Sequence, residues 1–301
     1  MNKKPIKVIT EDSTPKVEET GQAYQQTPVF SLVEKAIADA QLLQEAGKIA
    51  EALEKWHSLA NVIEAIDTEV AARAWFSIGN LLLEQEKKKK ALSAYDRAIR
   101  LKPVYAEAYT QRGNVKDALG QYTEAIADYN EAIRLNPADA EAYTNRGFVQ
   151  TKLGKHESAI ADHDNALRLD PELVEAYHNR GLAKLMLGKH ESAIEDFDRT
   201  IQLYPDSAVP YMNRGMSKRR LLQYEAALAD YEEAIRRDPE FAQPYAHRAL
   251  DKIRRGQDAE ARTDLEISLK LAHAAGDEKQ QSYVESWLQS LDKLEDETSN
   301  A

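Results

Sequence analysis

The sequence predicts an all-α protein, a stack of helix-turn-helix repeats closed by a carboxy-terminal helix. Residues of the same type recur every 34 positions, the first observation behind this prediction. The recurring residues are Gly79, Gly113, Gly147, Gly181 and Gly215, and Pro103, Pro137, Pro171, Pro205 and Pro239. The second observation is that each period holds two apolar stripes with helical spacing, separated by a glycine such as Gly120 or Gly154. A fixed period of this length is the signature of a repeat array.

The amino-terminal part starts with residues 1–30, which show no periodicity and are predicted to form a disordered tail. Ser31 and Glu34 make a capping-box pattern, which predicts that the first helix starts there. A weaker repeat follows at residues 33–71 and carries five extra residues before the next repeat begins. It keeps Gly47 and Ala52 at the expected positions.

Regular repeats are predicted to start at residues 72, 106, 140, 174, 208 and 242, so that the array covers residues 31–275. Counted from the first residue of each repeat, positions 8 and 20 hold small residues, which let the two helices of the repeat approach closely. Proline at position 32 ends the second helix because it cannot continue the hydrogen-bond ladder.

The carboxy-terminal part is predicted to be a capping helix over residues 277–295, followed by a polar tail at 296–301. Asp277 can cap its first turn, and Val284, Trp287 and Leu291 share one apolar side. An open stack needs such a helix to cover its last apolar face. A partner-binding role for this helix stays open.

The repeats resemble tetratricopeptide repeats, as Tyr143, Gly147, Gly154, Ala159 and Pro171 illustrate. The sequence Asn-Arg-Gly in the first helix is similar to the bacterial-type repeats of that family. The resemblance implies a right-handed α-solenoid whose concave groove, lined by the first helices, binds peptides. It also implies a scaffold or adaptor, since members of the family serve many partners.

Charged residues occupy packed positions in most repeats, although position 7 is usually apolar in the similar family. We expect inter-helix ion pairs between position 7 and position 23, with a lysine at position 11 assisting. The pairs are Arg112–Asp128, Arg146–Asp162, Arg180–Asp196, Arg214–Asp230 and Arg248–Asp264. The repeat at 72–105 has Ile78, Leu82 and Ala94 at these three positions, so the cations and the acid are lost together. We interpret the arginines as structural.

A peptide-binding groove is the strongest functional hypothesis. A carboxamide at position 6 can donate to and accept from an extended backbone, similar to the asparagine ladder of O-GlcNAc transferases. Methionines offer an adaptable apolar lining, and arginines can bind a carboxylate. The predicted groove residues are Gln111, Asn114, Asn145, Asn179, Asn213, His178, Met212, Met216, Arg219, Arg220, His247 and Arg254. A solvated surface without ligand is the alternative.

Other functional classes find little support. A net charge of −11 disfavours nucleic-acid binding, and the absence of cysteine excludes thiolate chemistry. Neither the motifs nor the histidine spacing predicts an enzyme, a cofactor or a metal site. The four lysines at 87–90 are interpreted as a solvated turn, with a partner-binding patch as the alternative. We therefore expect a cytoplasmic, non-catalytic protein that binds a protein or peptide with an acidic or carboxylate group. A self-assembling structural protein or assembly factor that acts through its termini or convex face is the alternative, and the oligomeric state stays open.

Overall fold

Every regular element in the described part of the chain is an α-helix. The computed structural model describes residues 28–299, and side chains are described as far as Lys293. The prediction of an all-α, helix-turn-helix protein is therefore confirmed. The chain divides into two compact units, unit 1 up to Val115 and unit 2 from Lys116.

Unit 1 consists of helices that pack in chain order. Their bounds are α1 Pro28–Glu45, α2 Ile49–Ile63, α3 Thr68–Glu84, α4 Lys88–Leu101 and α5 Ala106–Ala118, of which residues up to Val115 belong to this unit. Helix α3 begins before the repeat boundary at residue 72, because the Asp67 side chain caps it. Its carboxylate accepts hydrogen bonds from the backbone N–H groups of Glu69 and Val70, both at 3.0 Å.

Unit 2 continues the same pairing of first and second helices. Their bounds are α6 Tyr122–Leu135, α7 Ala140–Lys152, α8 His156–Leu169, α9 Val174–Met186, α10 His190–Leu203, α11 Ala208–Arg220, α12 Tyr224–Arg237, α13 Ala242–Arg254, α14 Asp258–Ala275 and α15 Glu278–Ser299. Each helix packs on the next, and the first helices α7, α9, α11 and α13 also contact one another in sequence. These contacts align the four first helices side by side.

The turn within each repeat requires one residue in the left-handed backbone region. Gly154 and Gly188 take this conformation with φ of 73° and 72°, at no steric cost. The equivalent positions in two repeats hold Glu86 and Leu222, with φ of 57° and 62°. These two turns therefore carry backbone strain that the glycine turns avoid.

Close helix contact explains the recurrent glycine at position 8. A Cβ atom added to Gly181 would lie 2.8 Å from Cε1 of the Phe197 ring, closer than carbon atoms can approach. Ala193, at position 20 of the same repeat, is fully buried. Small residues at both positions thus bring the two helices together, as expected from the sequence.

The chain ends differ from their expected bounds. Helix α1 already includes Pro28 to Phe30, which precede the expected start at Ser31. The rest of the expected tail, residues 1–27, lies outside the described residues. At the other end, Asp277 accepts a hydrogen bond from the Gln280 backbone at 3.0 Å and caps α15. That helix extends to Ser299 instead of ending at 295, and residues 300–301 lie outside the described part.

The capping helix α15 covers the last repeat of unit 2. Val284 and Leu291 are buried in one cluster with Ala246, Ala249 and Leu265 of α13 and α14. Trp287 and Leu288 pack against the same cluster. The helix therefore contributes the apolar cover that the open end of the stack requires.

Candidate functional site

The charged residues of the packed face form a bidentate pair in each of four regular repeats of unit 2. In the repeat at 174, Arg180 donates from Nε and Nη2 to the two carboxylate oxygens of Asp196, at 3.0 and 2.6 Å. Lys184 adds its Nζ at 2.7 Å from the second oxygen. The equivalent pairs are Arg146–Asp162, Arg214–Asp230 with Lys218, and Arg248–Asp264 with Lys252. A buried carboxylate is thereby held by two fixed guanidinium bonds, which is the strong geometry for such pairs.

Three of these arginines have a further partner that was not expected from the sequence. The free Nη1 of Arg180 donates to Asp164 of the preceding repeat at 2.6 Å. Arg214 reaches Asp198 at 2.5 Å, and Arg146 reaches Asn130 at 2.6 Å in the same way. All three acceptors occupy position 25, where a carboxylate or amide recurs every 34 residues. That recurrence is the sequence signal that could have revealed the contact.

These arginines also lie over the tyrosine at position 4 of their own repeat. The guanidinium carbon of Arg180 is 5.5 Å from the Tyr177 ring centroid, and that of Arg214 is 5.4 Å from Tyr211. The hydrogen bonds with Asp162 raise the pKa of Arg146 above its ordinary value, despite its burial. Each of these arginines therefore fills the space between a tyrosine, its own second helix and the preceding repeat.

The first expected pair, Arg112–Asp128, has one residue in each unit and stays a prediction. Arg112 donates from Nη1 to Asp96 at 2.7 Å within unit 1. Asp128 forms an ion pair with Lys116 at 2.7 Å within unit 2. Also in unit 1, Gln111 and Asn114 of the expected groove are joined by a hydrogen bond of 3.4 Å.

The carboxamides of position 6 in unit 2 lie on the exposed sides of α7, α9 and α11, with one exception. Asn145 and Asn179 are half-buried and reachable from solvent, and Asn145 lies 3.5 Å from the Glu141 carboxylate. Asn213 is only 5% exposed. The expectation that it lies on the open surface is therefore wrong.

Two of the three expected arginines are already engaged. Arg219 donates from Nε to Asp251 at 2.8 Å, and the Arg254 guanidinium lies 3.3 Å from the Tyr224 ring centroid. Asp251 is 1% exposed and takes a position that is apolar in other repeats, such as Val149. Burial raises the pKa of Asp251 above its ordinary value, while Arg219 opposes that rise. The interpretation of Arg219 as a freely available carboxylate ligand is therefore wrong, whereas the expectation for Arg254, which is exposed, stays a prediction.

The two histidines of the expected groove act as packed rings. His178 lies 5.9 Å from the Phe197 ring, and His247 stacks on Tyr231 at 5.7 Å. Burial lowers the pKa of His247 to about 4, and the charges of Arg219 and Arg220 contribute. Burial also lowers the pKa of His178. Both rings are accordingly neutral near pH 7.

A cavity of about 320 Å³ brings the remaining groove residues together. Met216 and Arg220 of α11 line it with Leu185 and Met186 of α9 and with His190. Met186 is 63% exposed, so the apolar lining reaches the surface. Arg220 is exposed and has no carboxylate at ion-pair distance among the residues the structure describes. Met212 lies elsewhere, packed against Ala208, Tyr211 and Ala234.

The described side chains hold no group of three or more histidines, cysteines or acids that could bind a metal ion. Within residues 28–299, none of the helices combines the length and the apolar character needed to cross a bilayer.

The comparisons identify the repeats and their structural relatives. Models described as tetratricopeptide repeat match residues 72–105, 174–207 and 208–241, and one described as TPR repeat matches 118–154 and 150–188. A comparison with curated proteins found no match. The fold resembles that of a tetratricopeptide repeat protein from Parabacteroides merdae. Their TM-score is 0.62 at 20% identity, over 86% of this chain and 98% of that one.

Two further solved structures are similar to this chain. YrrB, described as a TPR protein with an unusual peptide-binding site, has a TM-score of 0.53 at 26% identity, over 60% of this chain and 91% of that one. MamA has a TM-score of 0.52 at 22% identity, over 57% of this chain and 94% of that one. Since the matched repeats together cover more than half of its residues, the chain belongs to the tetratricopeptide repeat family.

Proposed function

We propose that the protein is a non-catalytic scaffold that holds an extended segment of a partner protein on its first helices. Tetratricopeptide repeat proteins are in general non-catalytic scaffolds that bind proteins. The bound segment lies along α7, α9 and α11 of unit 2. Its backbone contacts Asn145 and Asn179, and its end reaches the cavity at Met216.

The observation that carries this proposal is the cavity shared by Met216 and Arg220. Its lining of Leu185, Met186 and Met216 suits one apolar side chain, because thioethers adapt to irregular shapes. Arg220 stands beside it with an exposed guanidinium, which suits a neighbouring carboxylate. An apolar residue next to an acidic residue or a free carboxy terminus is thus the expected recognition element.

The two asparagines supply the sequence-independent part of the binding. Each carboxamide can donate to a peptide carbonyl and accept from a peptide N–H. Both side chains are half-buried, so they are partly ordered before binding and lose less entropy on contact. Asn213 has no part in this contact, since it is buried.

Selection of a random peptide library on the full chain, followed by affinity measurements, tests the proposal. Selected peptides should carry an apolar residue next to Asp, Glu or a free carboxy terminus. Arg220→Glu should weaken their binding about tenfold or more and change its salt dependence. Asn145→Ala with Asn179→Ala should speed dissociation, since each lost hydrogen bond contributes about 0.5–1.5 kcal/mol.

Arg168→Glu is the matched control, because Arg168 is equally exposed but lies on the second helix α8. It should leave affinity unchanged. Selected peptides that lose affinity with Arg168→Glu and keep it with Arg220→Glu would contradict the proposal. A chain that enriches no peptide and instead grows in light-scattering mass with concentration would favour self-assembly.

A further inference from the structure

A larger cavity lies in unit 1 and shares no residue with the proposed binding surface. It has a volume of about 770 Å³ and opens between helices α2, α3 and α4. Leu53, Trp75, Ile78, Leu82 and Ala94 give it an apolar lining. Its volume lies within the range of about 300–1,000 Å³ typical of ligand sites in proteins.

The cavity exists because this repeat lacks the ion pairs of the later repeats. Ile78, Leu82 and Ala94 hold positions 7, 11 and 23, where the repeat at 174 has Arg180, Lys184 and Asp196. In that repeat the long charged side chains bond to one another and fill the space between the helices. The shorter apolar residues of unit 1 leave the same space open.

Position 25 of the preceding repeat confirms that the two spaces are equivalent. His57, which occupies this position in α2, lines the cavity. In the later repeats the residue at position 25 accepts a hydrogen bond from the arginine, as Asp164 does from Arg180. The unit 1 cavity therefore replaces a filled inter-repeat contact.

Cations surround the opening of this apolar space. Lys87, Lys89, Lys90 and Arg100 line the cavity, are exposed, and form no ion pair among the described residues. Arg97 lies among them and is paired with Glu64. The whole chain carries a net charge of −11, so this cluster is a local reversal of its overall field.

The corresponding turns elsewhere carry acids instead. The first turns of α6, α8, α10 and α12 contain Glu124, Glu157, Glu191 and Glu225, whereas the first turn of α4 contains no acid and three lysines. Positive charge at a helix amino terminus is unfavourable, because the helix dipole is positive there. An anionic ligand would relieve this repulsion.

We propose that the unit 1 cavity binds an acidic segment of a partner protein through one aromatic or large aliphatic side chain. The side chain packs against Leu53, Trp75 and Leu82, and flanking carboxylates contact Lys87, Lys90 and Arg100. Trp75 also keeps a buried indole N–H without a hydrogen-bond partner among the described residues, a donor that a bound peptide carbonyl could use. This site is separate from the unit 2 surface, and the proposal does not rest on the function proposed there.

Calorimetric titration of the full chain tests the site. The probe is a synthetic peptide with blocked ends, containing one phenylalanine flanked on each side by glutamate and aspartate. It should bind, and replacing its phenylalanine with serine should weaken binding about tenfold or more, since the apolar ring then no longer leaves water on binding. Lys87→Glu with Lys90→Glu should likewise weaken binding at least about tenfold and reduce its salt dependence.

The chain itself offers matched controls. Lys155→Glu with Lys189→Glu changes the net charge equally, at the same turns of two unit 2 repeats, and should leave binding unchanged. Arg220→Glu should leave it unchanged too, which separates this site from the unit 2 cavity. A filled variant, Ile78→Arg with Leu82→Lys and Ala94→Asp, rebuilds the ion pairs and should abolish binding while circular dichroism stays helical.

Three results would overturn the proposal. One is the absence of binding, or binding that the Lys87 and Lys90 changes leave intact; these surface changes decide the matter even if the filled variant does not fold. Another is binding to anionic phospholipid vesicles without binding of the peptide. The third is peptide binding that occurs only after deletion of residues 1–27, which would assign the cavity to the chain's own amino-terminal segment.

Discussion

The repeat at 72–105 and the repeat at 174–207 build the same two-helix unit with opposite chemistry at three packed positions. In the later repeat, Arg180, Lys184 and Asp196 form a closed set of ion pairs that also reaches Asp164. In the earlier repeat, Ile78, Leu82 and Ala94 are buried without any charge, and a cavity lies beside them. The helices and the glycine contact are retained in both, since Gly79 approaches Tyr95 as Gly181 approaches Phe197.

The two-helix fold therefore forms with or without the ion pairs. The ion pairs are needed only to fill the space between the repeats. Burying a charge is costly unless a partner and hydrogen bonds compensate it. The later repeats meet this requirement for the carboxylate, and the earlier repeat avoids it by using apolar residues. The result in unit 1 is space for a ligand.

The largest expected effect comes from breaking one closed set of ion pairs. Arg180→Ala should lower the free energy of unfolding by about 3–5 kcal/mol, because Asp196 stays buried without its bidentate partner. Arg180→Met should cost less, since it keeps the packing. Chemical denaturation monitored by circular dichroism measures both.

A triple variant gives the repeat at 174 the three residues that the repeat at 72 has at the same positions. Arg180→Ile with Lys184→Leu and Asp196→Ala should regain most of the loss and leave mainly the cost of a cavity. If this variant unfolds as easily as Arg180→Ala, the ion pairs are needed for reasons beyond mutual compensation, and the comparison fails.

Replacing a buried polar ring that has no hydrogen-bond partner should stabilise the protein, whereas breaking the ion pairs should destabilise it. His163 is fully buried next to Asp162, and neither ring nitrogen has a hydrogen-bond partner among the described residues. Phe197 fills the same position one repeat later. His163→Phe should therefore raise the melting temperature at neutral pH.

The stability gained by His163→Phe should be larger at acidic pH. Burial lowers the pKa of His163 from 6.5 to about 4, with the charge of Arg180 contributing. Above pH 6.5 the ring is neutral in both states, and as pH falls from 6.5 towards 4 only the unfolded state gains the proton, so stability is lost. Near pH 5 the variant should gain a further amount of about 2 kcal/mol, at about 1.4 kcal/mol per pKa unit.

Part of the acid sensitivity should survive in this variant. His247 also has a pKa lowered to about 4 and is unchanged by the substitution. A melting temperature that depends on pH equally in the wild-type chain and the variant would contradict the assignment to His163.

The smallest expected effect tests strain at the turn that both regions share. Leu222→Gly should raise stability by about 1 kcal/mol, because the left-handed backbone costs leucine roughly this amount. Leu222 is 69% exposed, so little packing is lost. Glu86→Gly should do the same in unit 1, and Gly154→Leu should cause a loss of similar size. Thermal melting measures all three, and opposite signs would show that the turns differ between repeats.

The helices are predictable from local sequence because every repeat carries its own turn and helix-ending residues. The spacing of Gly154 and Pro171 relates each helix to its neighbours, and the period repeats that information through the array. Ser31 and Glu34 match a capping box, yet the first helix already includes Pro28. Helix ends depend on such competing local bonds and are less certain than helix existence.

The candidate site was harder to predict because it depends on contacts between helices. A helical wheel places Asn213 and Asn179 on the same side, but the packing of adjacent helices buries only Asn213. The pairing of Arg219 with Asp251 is not predictable from the repeat pattern, because Asp251 is a single acid at a position that is apolar in other repeats. The Lys87–Lys90 run was visible, whereas the cavity beside it required three-dimensional packing.

The arginine that bonds to the preceding repeat makes the repeats of unit 2 interchangeable. The repeat at 174 presents Arg180 towards the repeat before it and the position 25 acceptor Asp198 towards the repeat after it. Removal of residues 174–207 would bring Arg214 to Asp164, the equivalent acceptor one repeat earlier, in place of Asp198. The array can therefore lengthen or shorten by whole repeats, while a change of any other length leaves a buried arginine without its acceptor.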